Sequence, residues 1–498
     1  MEWINYTTLK ELGYPGYLKQ DGPEKILQFG EGNFLRAFAD YFFDIANEKN
    51  DWNGKIVLVQ PNSSNPENAD RINRQQGLYT LYLKGIERGQ IINEKRIISV
   101  VSRCLNARRD FDEIIEIGKS EALEYIISNT TEAGIIYDPN ADFQQFPPTS
   151  FPAKLTWVLY ERFRAGQKGV IILSCELIDH NGKELQKCVE KHSRDWNLGQ
   201  DFLHWLTEEN LFCSTLVDRI VTGGPDSPQQ TAEIEKENQY RDGFVDIGEI
   251  FGVWIIEGPA WLSEKLPFQN TNLNIQVVPD VMPLKKRKVR ILNGAHTALS
   301  LGAYLAGENT VDGCMQNEIL RTFLQKMIYK EIIPVLPLDQ DDLIQFATEM
   351  EDRFRNPFIA HKLLSISLNS TAKWRARDLP TLIEYQAKYG LLPPCLTMGF
   401  AAYIAFYTNH IRQKTADGLL CLREKEEAYL VQDDPFVLDF YYNHRNDDPQ
   451  VLVPAVLSNK AMWGQDLTRI SGLEEQIIRD LIRIRRQGAE KAFASCIE

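Results

Sequence analysis

The sequence of 498 residues lacks the features that mark several classes of protein. Its eight cysteines form no Cys-x-x-Cys pair, and its seven histidines show neither His-x-x-x-His nor His-Glu-x-x-His spacing, so we expect reduced thiols and no metal site. The longest markedly apolar stretch, residues 399–407, is far shorter than the roughly 20 residues of a membrane-spanning helix. The N-terminus has no basic segment followed by an apolar one. We therefore expect a cytoplasmic protein without a signal peptide or a membrane-inserted segment.

The composition is that of an ordinary globular protein. Hydrophobic residues make up 43% of the chain and charged residues 25%. Asp and Glu outnumber Lys and Arg by 69 to 55, which gives a net charge of −14. This excess of acid argues against a nucleic-acid partner, because nucleic acids are held largely by Lys and Arg. No coiled-coil heptad is legible, so the oligomeric state is not predicted.

Two regions differ in their hydrophobic patterns. In the first, short β-branched runs alternate with amphipathic stretches, which is typical of βαβ units around a mostly parallel sheet. After about Pro283, helical patterns dominate and strand-like runs are scarce. We therefore predict an α/β protein with an N-terminal domain over residues 1–282 and an all-helical C-terminal domain over residues 283–498. The predicted strands are residues 25–29, 55–60, 125–128 and 169–174, the predicted helices are residues 33–47, 289–306, 318–333, 382–389, 399–411 and 473–484, and the predicted loops are residues 137–152 and 223–242.

A turn with two glycines joins the first predicted strand to the first predicted helix. Gly30 and Gly32 lie within residues 29–36, where glycines let the backbone approach a pyrophosphate at the helix N-terminus. The third glycine of the dinucleotide-binding fingerprint is missing, so a plain turn is the alternative. Residues 59–64 end the second strand without an acid for the adenosine ribose and without an arginine for a 2′-phosphate. The cofactor preference is therefore only tilted toward NAD.

Three residues with catalytic potential share one predicted helix. At 100° per residue, Lys288, Asn293 and His296 fall within a sector of about 140°. A dehydrogenase that uses no metal needs a base for the hydroxyl proton and donors for the oxygen, and these side chains can fill those roles. The basic residues 285–290 would attract an anionic substrate. The alternatives are a solvated basic turn with a structural histidine, and a nuclear-import or RNA-binding segment.

Several motifs together resemble a known enzyme family. They are the turn at residues 29–38, the strand end at residues 128–134, and Lys288, Asn293 and His296 in the spacing K-x4-N-x2-H. These motifs are similar to those of the polyol-specific long-chain dehydrogenase/reductase family, which includes mannitol dehydrogenase. A narrower match to the sugar-acid branch of this family is carried by residues 175–182, 217–223, 292–299, 353–357 and 363–366.

The resemblance implies a Rossmann-type N-terminal domain, a helical C-terminal domain, NAD(H) as cofactor and chemistry without zinc. It also implies a small sugar-acid substrate, in the reversible reduction of D-tagaturonate to D-altronate during hexuronate catabolism. By the family motif, Lys288 is the general acid/base, and Asn293 and His296 orient the reacting oxygen. The implied cofactor-binding residues are Ile26, Gln28, Phe29, Gly30, Glu31, Gly32, Asn33, Phe34, Leu35, Arg36, Asn129, Thr130 and Glu132, and the implied substrate-binding residues are Asp218, Lys373 and Arg375.

One position departs from the family pattern. Leu177 stands where mannitol-type members have an asparagine that helps to hold the oxyanion, which argues against mannitol as substrate. The remaining alternatives are a fructuronate reductase, a neutral-polyol dehydrogenase and a non-catalytic nucleotide-sensing module. We assign His180 and His361 to structural hydrogen bonds, and Cys175 to buried packing.

Overall fold

A computed structural model describes residues 1–60, 67–87, 90–130, 134–225, 227–358, 361–423 and 427–497. The chain divides into two compact units, Met1–Met282 and Pro283–Glu498. We call them the N-terminal unit and the C-terminal unit. None of the helices in these described ranges is long and apolar enough to cross a membrane.

The N-terminal unit is built on strands. They are β1 (Glu24–Phe29), β2 (Lys55–Gln60), β3 (Tyr79–Glu87), β4 (Gln90–Ile98), β5 (Val101–Asn106), β6 (Tyr125–Ser128), β7 (Ile171–Ser174), β8 (Leu211–Asp218), β9 (Asp246–Glu249), β10 (Val253–Glu257) and β11 (Asn274–Val278). The large sheet has the order β11-β10-β8-β7-β6-β1-β2-β5, and a smaller sheet has the order β4-β3-β9.

The large sheet has the doubly wound topology of dinucleotide-binding folds. From β5 to β8 all neighbouring strands are parallel, and β10 pairs antiparallel with β8 and parallel with β11. The strand order reverses between β1 and β6, the place where such sheets bind ligands. The mostly parallel sheet of the prediction is confirmed, and the four predicted strands correspond to β1, β2, β6 and β7 within two residues at each end.

Alternating side chains of the parallel strands enter two separate cores, one on each face of the sheet. On β1, Ile26 belongs to one core, whereas Leu27 and Phe29 belong to the other. The helices of this unit cover both faces. They are Tyr6–Glu11, Asn33–Leu35, Tyr41–Asn50, Asn68–Arg74, Phe111–Gly118, Phe151–Arg164, Asn181–Asp195, Gln200–Glu208, Pro228–Asn238 and Leu262–Lys265, and a π-helical turn, Arg36–Asp40, joins the second to the third.

Of the two predicted loops, the first is a loop over nearly its whole length. Residues 137–150 are turns and bends, and a helix begins at Phe151. The prediction of a loop over residues 223–242 is wrong, because it contains the helix Pro228–Asn238. Ser227 caps this helix by accepting a hydrogen bond from the Gln230 amide. Asn238 is the single buried residue of the helix, so no apolar stripe marks it in the sequence.

The C-terminal unit is mostly helical, as predicted, but not entirely so. Its helices are Met282–Lys288, Gly294–Leu305, Val311–Gln316, Glu318–Lys326, Gln340–Phe354, Leu363–Ile366, Ser370–Arg377, Leu379–Tyr389, Pro394–Thr408, Pro435–Asn443, Pro449–Leu457, Lys460–Trp463, Leu473–Gln487 and Ala489–Ile497, with π-helical turns at Val289–Asn293 and Met327–Ile332 and 3-10 turns at Ile333–Val335 and Leu467–Arg469. A small antiparallel sheet contains β12 (Gln413–Lys414), β13 (Leu419–Leu422) and β14 (Ala428–Val431). These strands are too short to show a period of two in the sequence, so the prediction of an all-helical domain omitted them.

The helix Gly294–Leu305 lies in the middle of this unit, and most of its residues are buried. A Cβ on Gly302 would lie 2.2 Å from the Phe493 ring and 2.9 Å from the Ala402 Cβ, so neighbouring helices approach its backbone closely. This tight packing holds the segment that begins at Lys288 in one position.

Candidate active site

The predicted phosphate-binding turn lies at the carboxyl ends of β1 and β6. The Gly30 amide donates to the Val59 carbonyl at 2.9 Å, and the Asn129 amide donates to the Phe29 carbonyl at 3.0 Å. Gly30 has a φ of +129°, and a Cβ there would lie 3.0 Å from the Asn129 carbonyl oxygen. Gly30 is therefore required both by the turn and by the close approach of the next strand. The turn passes over the point where the strand order reverses.

The helix that follows this turn presents an open N-terminus. Gly32 is its N-cap, and no side chain makes a cap hydrogen bond there. A Cβ added to Gly32 would meet no atom within 4 Å. The first amide groups of a helix lack partners within the helix and carry a partial positive charge. The geometry therefore suits an anionic group such as a pyrophosphate.

The Arg36 side chain stabilises the turn through hydrogen bonds. Its guanidinium donates to the Glu31 carbonyl at 2.9 Å and to Asn33 Oδ1 at 2.6 Å, and it lies 3.4 Å from Asp246 Oδ2. Burial raises the pKa of Asp246 to about 7, while Arg36 acts in the opposite direction. From the other side, Gln28 Nε2 donates to the Gly30 carbonyl at 3.2 Å. Arg36 and Gln28 thus act on the shape of the turn with their side chains.

The other predicted cofactor residues divide into buried and accessible ones. Ile26, Phe29 and Leu35 are buried in the cores, so their side chains support the turn and do not reach its outer surface. Asn33 is exposed, and Glu31 and Phe34 are partly buried. Glu31 Oε1 accepts from Gln60 Nε2 at 3.2 Å, which joins the ends of β1 and β2. Residues 61–64, which follow β2, and Glu132 lie outside the described residues.

Glu176 positions the strand end that carries Asn129 and Thr130. Its carboxylate accepts hydrogen bonds from the Ser128 hydroxyl, the Thr130 amide and the Thr130 hydroxyl, each at 3.1 Å. Burial raises the pKa of Glu176, and these hydrogen bonds act in the opposite direction. Glu176 was not among the predicted site residues, although its place two residues after the end of β7 was a usable signal.

The residues near Glu176 and at the end of β8 have distinct environments. Leu177 is 65% exposed, which is unusual for a large apolar side chain. Cys175 is fully buried, and burial raises the pKa of its thiol, in agreement with the predicted packing role. Asp218 is buried at the carboxyl end of β8, beyond the residues that pair with β7.

In the C-terminal unit, Lys288, Asn293 and His296 lie on one continuous helical segment. A regular α-helix ends at Lys288, a π-helical turn spans Val289–Asn293, and an α-helix resumes at Gly294. The predicted sector of about 140° assumed a regular α-helix, whereas the structure has a π-turn between Lys288 and Gly294. In a π-turn, hydrogen bonds join residues five apart, which is the spacing of Lys288 and Asn293. The π-turn therefore makes the angle around the helix axis between these two side chains smaller than it would be in a regular α-helix.

Three side chains of the basic cluster at residues 285–290 pair with carboxylates within the same unit. The Arg287 guanidinium lies 2.5 Å from Asp342 Oδ1. Arg290 pairs with Glu384 and donates to the Thr381 hydroxyl at 2.7 Å, and Lys286 lies 3.7 Å from Glu384. The local positive charge is therefore smaller than the sequence indicates. The reading as a freely solvated basic segment does not fit Arg290, which is buried.

His296 is held by stacking. Its ring lies 4.1 Å from the Phe354 ring at an interplanar angle of 17°, and 5.2 Å from the His361 ring in an edge contact. Burial lowers the pKa of His361, with further contributions from Lys373 and Arg353. His361 thus adjoins the predicted catalytic histidine, although the prediction for His361 was a structural hydrogen bond.

The helix Ser370–Arg377 separates the two predicted carboxylate-binding residues. Lys373 is partly buried, and its ammonium group donates to the Ile366 carbonyl at 2.8 Å. Arg375 is exposed and stands about 200° around the helix from Lys373. Arg377 lies on the side of Lys373, only about 40° away, and donates to Thr297 Oγ1 at 3.1 Å. The structure therefore groups Lys373 with Arg377, which the i, i+4 spacing could have suggested, and leaves Arg375 apart.

The neighbours of this helix affect both the charge of Lys373 and the packing at the end of the helix. Burial and the neighbouring Arg377 lower the pKa of Lys373 to about 8, while Asp433 acts in the opposite direction. A Cβ on Gly294 would lie 2.8 Å from Asp378 Oδ1, so this glycine lets the end of the helix approach Asn293 and its neighbours. Within the described ranges, no group of three or more His, Cys, Asp or Glu side chains could hold a metal ion.

The chain is similar to known enzymes along nearly its whole length. Residues 24–270 match the model of the mannitol dehydrogenase Rossmann domain, and residues 280–485 match that of the mannitol dehydrogenase C-terminal domain. The altronate oxidoreductase of Klebsiella pneumoniae (strain 342) is 44% identical, and the match covers 97% of this chain and 99% of that protein. The altronate oxidoreductase of Escherichia coli O7:K1 is 43% identical, with the same coverage.

Solved structures with the same fold include two polyol dehydrogenases. A D-sorbitol dehydrogenase in substrate-free form has a TM-score of 0.80 at 21% identity, covering 98% of this chain and 100% of that chain. The Pseudomonas fluorescens mannitol 2-dehydrogenase ternary complex with NAD and D-mannitol has a TM-score of 0.74 at 22% identity, covering 99% of both chains. With both family models matched and with full-length relatives above 40% identity, the chain belongs to the mannitol dehydrogenase family.

Proposed function

We propose that the protein catalyses the reversible, NAD-dependent reduction of D-tagaturonate to D-altronate. The observation that carries this proposal is the similarity to altronate oxidoreductases, which extends over nearly the whole of both chains. The exposed Leu177 supports a substrate other than mannitol, since mannitol-type members have an asparagine there. Membership of a dehydrogenase family, together with Lys288, Asn293 and His296, favours an enzyme over a nucleotide sensor, which would not need a base.

The cofactor is proposed to bind at the turn of the N-terminal unit. NADH supplies the hydride that reduces the ketone. The amides after Gly32 would hold its pyrophosphate, Gly30 would permit close approach, and Arg36 would keep the turn in shape from below. Asn129 and Thr130, which Glu176 positions, would line the adjacent strand end.

The proton chemistry is proposed to belong to the C-terminal unit. Protonated Lys288 donates to the oxygen of the forming alkoxide during reduction, and neutral Lys288 accepts that proton during oxidation. Asn293 and His296 orient the carbonyl oxygen and stabilise the charge that develops on it. The π-turn supports these roles, because it brings the side chains of Lys288 and Asn293 toward the same side of the helical segment. Asp218 of the N-terminal unit is proposed as a further substrate-binding residue.

The sugar-acid carboxylate is proposed to bind to Lys373 and Arg377. Both lie on one side of the helix Ser370–Arg377, and Arg377 also contacts Thr297, one residue beyond His296. Two cationic side chains in a partly buried position can hold a carboxylate by charge-assisted hydrogen bonds. The exposed Arg375, the other residue implied by the family, faces the opposite side of the same helix.

Removing Lys373 or Arg377 should weaken the binding of the sugar acid. We expect Lys373→Ala and Arg377→Ala each to raise the KM for tagaturonate by roughly 10- to 100-fold, since each removes a charge-assisted hydrogen bond. Steady-state kinetics on the folded variants measure this. Arg375→Ala is the matched control on the same helix and should leave the KM within about twofold of wild type. A rise in the KM for Arg375→Ala alone would contradict the proposal, because it would place the carboxylate on the opposite side of the helix.

Binding of the sugar acid should also weaken at alkaline pH. Lys373 has a pKa of about 8, so its positive charge is present below that pH and is lost as the pH rises through it. We therefore expect kcat/KM for tagaturonate to fall above about pH 8. Lys373→Arg should abolish that part of the profile, because a guanidinium keeps its charge. A neutral ketose such as fructose serves as control, and an identical decline with fructose and tagaturonate would contradict the assignment.

The sister activities are separated by substrate charge and stereochemistry. A spectrophotometric panel would combine tagaturonate, fructuronate and fructose with NADH and with NADPH, and mannitol with the oxidised cofactors. The proposal expects the highest kcat/KM for tagaturonate with NADH. A preference for fructuronate would contradict the proposed substrate but not the proposed carboxylate site, because fructuronate also carries a carboxylate. A preference for the neutral fructose or mannitol would contradict both proposals. Absence of turnover with every pair would favour the nucleotide sensor.

A further inference from the structure

The C-terminal unit contains a large cavity that the proposed reaction does not use. Its volume is about 1010 Å³, comparable to a site for a small organic molecule. It is formed where the helices Gly294–Leu305, Pro394–Thr408 and Leu473–Gln487 end. Its lining is Leu305, Ala405, Thr408, Asn409, His410, Ile411, Arg412, Leu422, Arg423, Arg445, Asn446, Asp447, Asp448, Ile484, Arg485, Arg486, Gln487, Gly488 and Ala489.

The cavity is strongly cationic in a chain of net charge −14. Five arginines line it, against Asp447 and Asp448. One of the five, Arg423, is committed to the fold, because it donates to the carbonyls of Tyr304 and Glu308 and pairs with Glu427. Asp447 is likewise engaged, at 2.7 Å from His444. An excess of positive charge therefore remains on the cavity wall.

The other four arginines are Arg412, Arg445, Arg485 and Arg486. Among the residues that the structure describes, none of the four forms a salt bridge within 4.0 Å. Arg445 is held over the Tyr442 ring at 4.3 Å, and Arg485 donates to Thr408 Oγ1 at 3.3 Å. All four residues are exposed, so their guanidinium groups are open to a ligand. Arginine binds phosphate and carboxylate groups through charge-assisted, often bidentate hydrogen bonds.

The cavity is distant from the proposed catalytic lysine. Leu305 on its wall is the last residue of the helical segment that passes through Lys288. Leu305 is seventeen positions beyond Lys288, which at about 1.5 Å per residue corresponds to roughly 25 Å along the helical segment. The cavity is therefore not part of the substrate site around Lys288, Lys373 and Arg377.

We propose that this arginine-lined cavity binds a small organic polyanion, a molecule that carries several phosphate or carboxylate groups. The separate positions of Arg412, Arg445 and the pair Arg485 and Arg486 around one cavity match a ligand with several anionic groups. A nucleic acid needs a basic stripe that continues along the surface, which the intervening Asp447 and Asp448 interrupt.

Calorimetric titration of the full chain tests this site. Inorganic pyrophosphate and citrate are the probes for phosphate and carboxylate chemistry, and saturating NADH keeps the turn at Gly30 from binding pyrophosphate. We expect the wild type to bind at least one of the two probes in this cavity, in addition to any citrate held at Lys373 and Arg377. The double variant Arg485→Gln, Arg486→Gln should bind that probe at least about tenfold more weakly, since it loses two charge-assisted contacts. Which probe binds identifies the anionic group.

Matched variants and controls decide the outcome. Arg479→Gln, on the same helix but outside the cavity, should bind the probe as the wild type does. If the double variant does not fold, Arg412→Gln on a different element tests the same site. Equal binding in the wild type and in the cavity variants would overturn the proposal, as would the absence of binding with both probes at millimolar concentration. Because the cavity variants leave the turn at Gly30 and the residues around Lys288 unchanged, a loss of probe binding in these variants is distinguishable from a failure of the proposed reaction.

Discussion

Replacement of Lys288 by alanine is expected to lower the turnover of tagaturonate with NADH by about 10²- to 10⁴-fold, the usual contribution of general acid–base catalysis. The dissociation constant of NADH should stay within about twofold, because all proposed cofactor-binding residues lie in the N-terminal unit and Lys288 lies in the C-terminal unit. Single-turnover kinetics and fluorescence titration with NADH measure the two quantities separately.

Lys286 provides the matched control for this substitution. It lies on the same helix, carries the same charge and stands 3.7 Å from Glu384. Lys286→Ala should keep turnover within a few-fold of wild type, because an exposed ion pair contributes little. A folded Lys288→Ala variant that no longer binds NADH would contradict the assigned role. So would one that turns over at the rate of the Lys286→Ala variant.

The second large effect is expected at Gly32, in the proposed cofactor-binding turn. The change Gly32→Asp should weaken NADH binding on the order of 100-fold or more, because its carboxylate would occupy the place of the pyrophosphate and repel it. The free energy of unfolding should change by only a few tenths of a kcal/mol, since Asp is a favoured N-cap and a Cβ at Gly32 meets no atom within 4 Å. Titration with NADH and denaturant unfolding of the same variant measure both effects.

Gly32→Ala separates charge from size at this position. It adds the Cβ without the carboxylate, so we expect NADH binding within a few-fold of wild type. If Gly32→Asp binds NADH normally, the pyrophosphate does not lie at this helix N-terminus. If both variants lose NADH binding equally, the loss comes from a change in the backbone of the turn and not from the charge of the aspartate.

Much of the N-terminal unit could be predicted because its parallel strands are buried on both faces. Such strands are continuous apolar runs, and residues 55–60 and 125–128 were predicted with the observed limits. The helix Pro228–Asn238 was missed for the opposite reason, since it is polar on nearly all sides and is marked only by Ser227 and Pro228. The short strands β12 to β14 were missed because two to four residues show no period.

The candidate site was predicted less completely than the fold. Lys288, Asn293 and His296 could be selected from their spacing, but the π-turn between them could not, because π-helical turns have no known pattern of residue types. Arg377 was missed in favour of Arg375, although only the former shares the helix side of Lys373. His361 was considered structural because its contact with His296 joins residues that are far apart in the chain.

By itself, the sequence determined the alternation of buried strands and helices in the N-terminal unit, the glycine turn and the types of residue available for proton transfer. These are local properties, since period, turn composition and motif spacing are written within a few consecutive residues. Only the tertiary structure decided which cations lie together, which are neutralised by distant carboxylates such as Asp342 and Glu384, and which belong to the arginine-lined cavity. Those relations depend on contacts between segments far apart in the chain and on burial, and neither is encoded in any single stretch of residues.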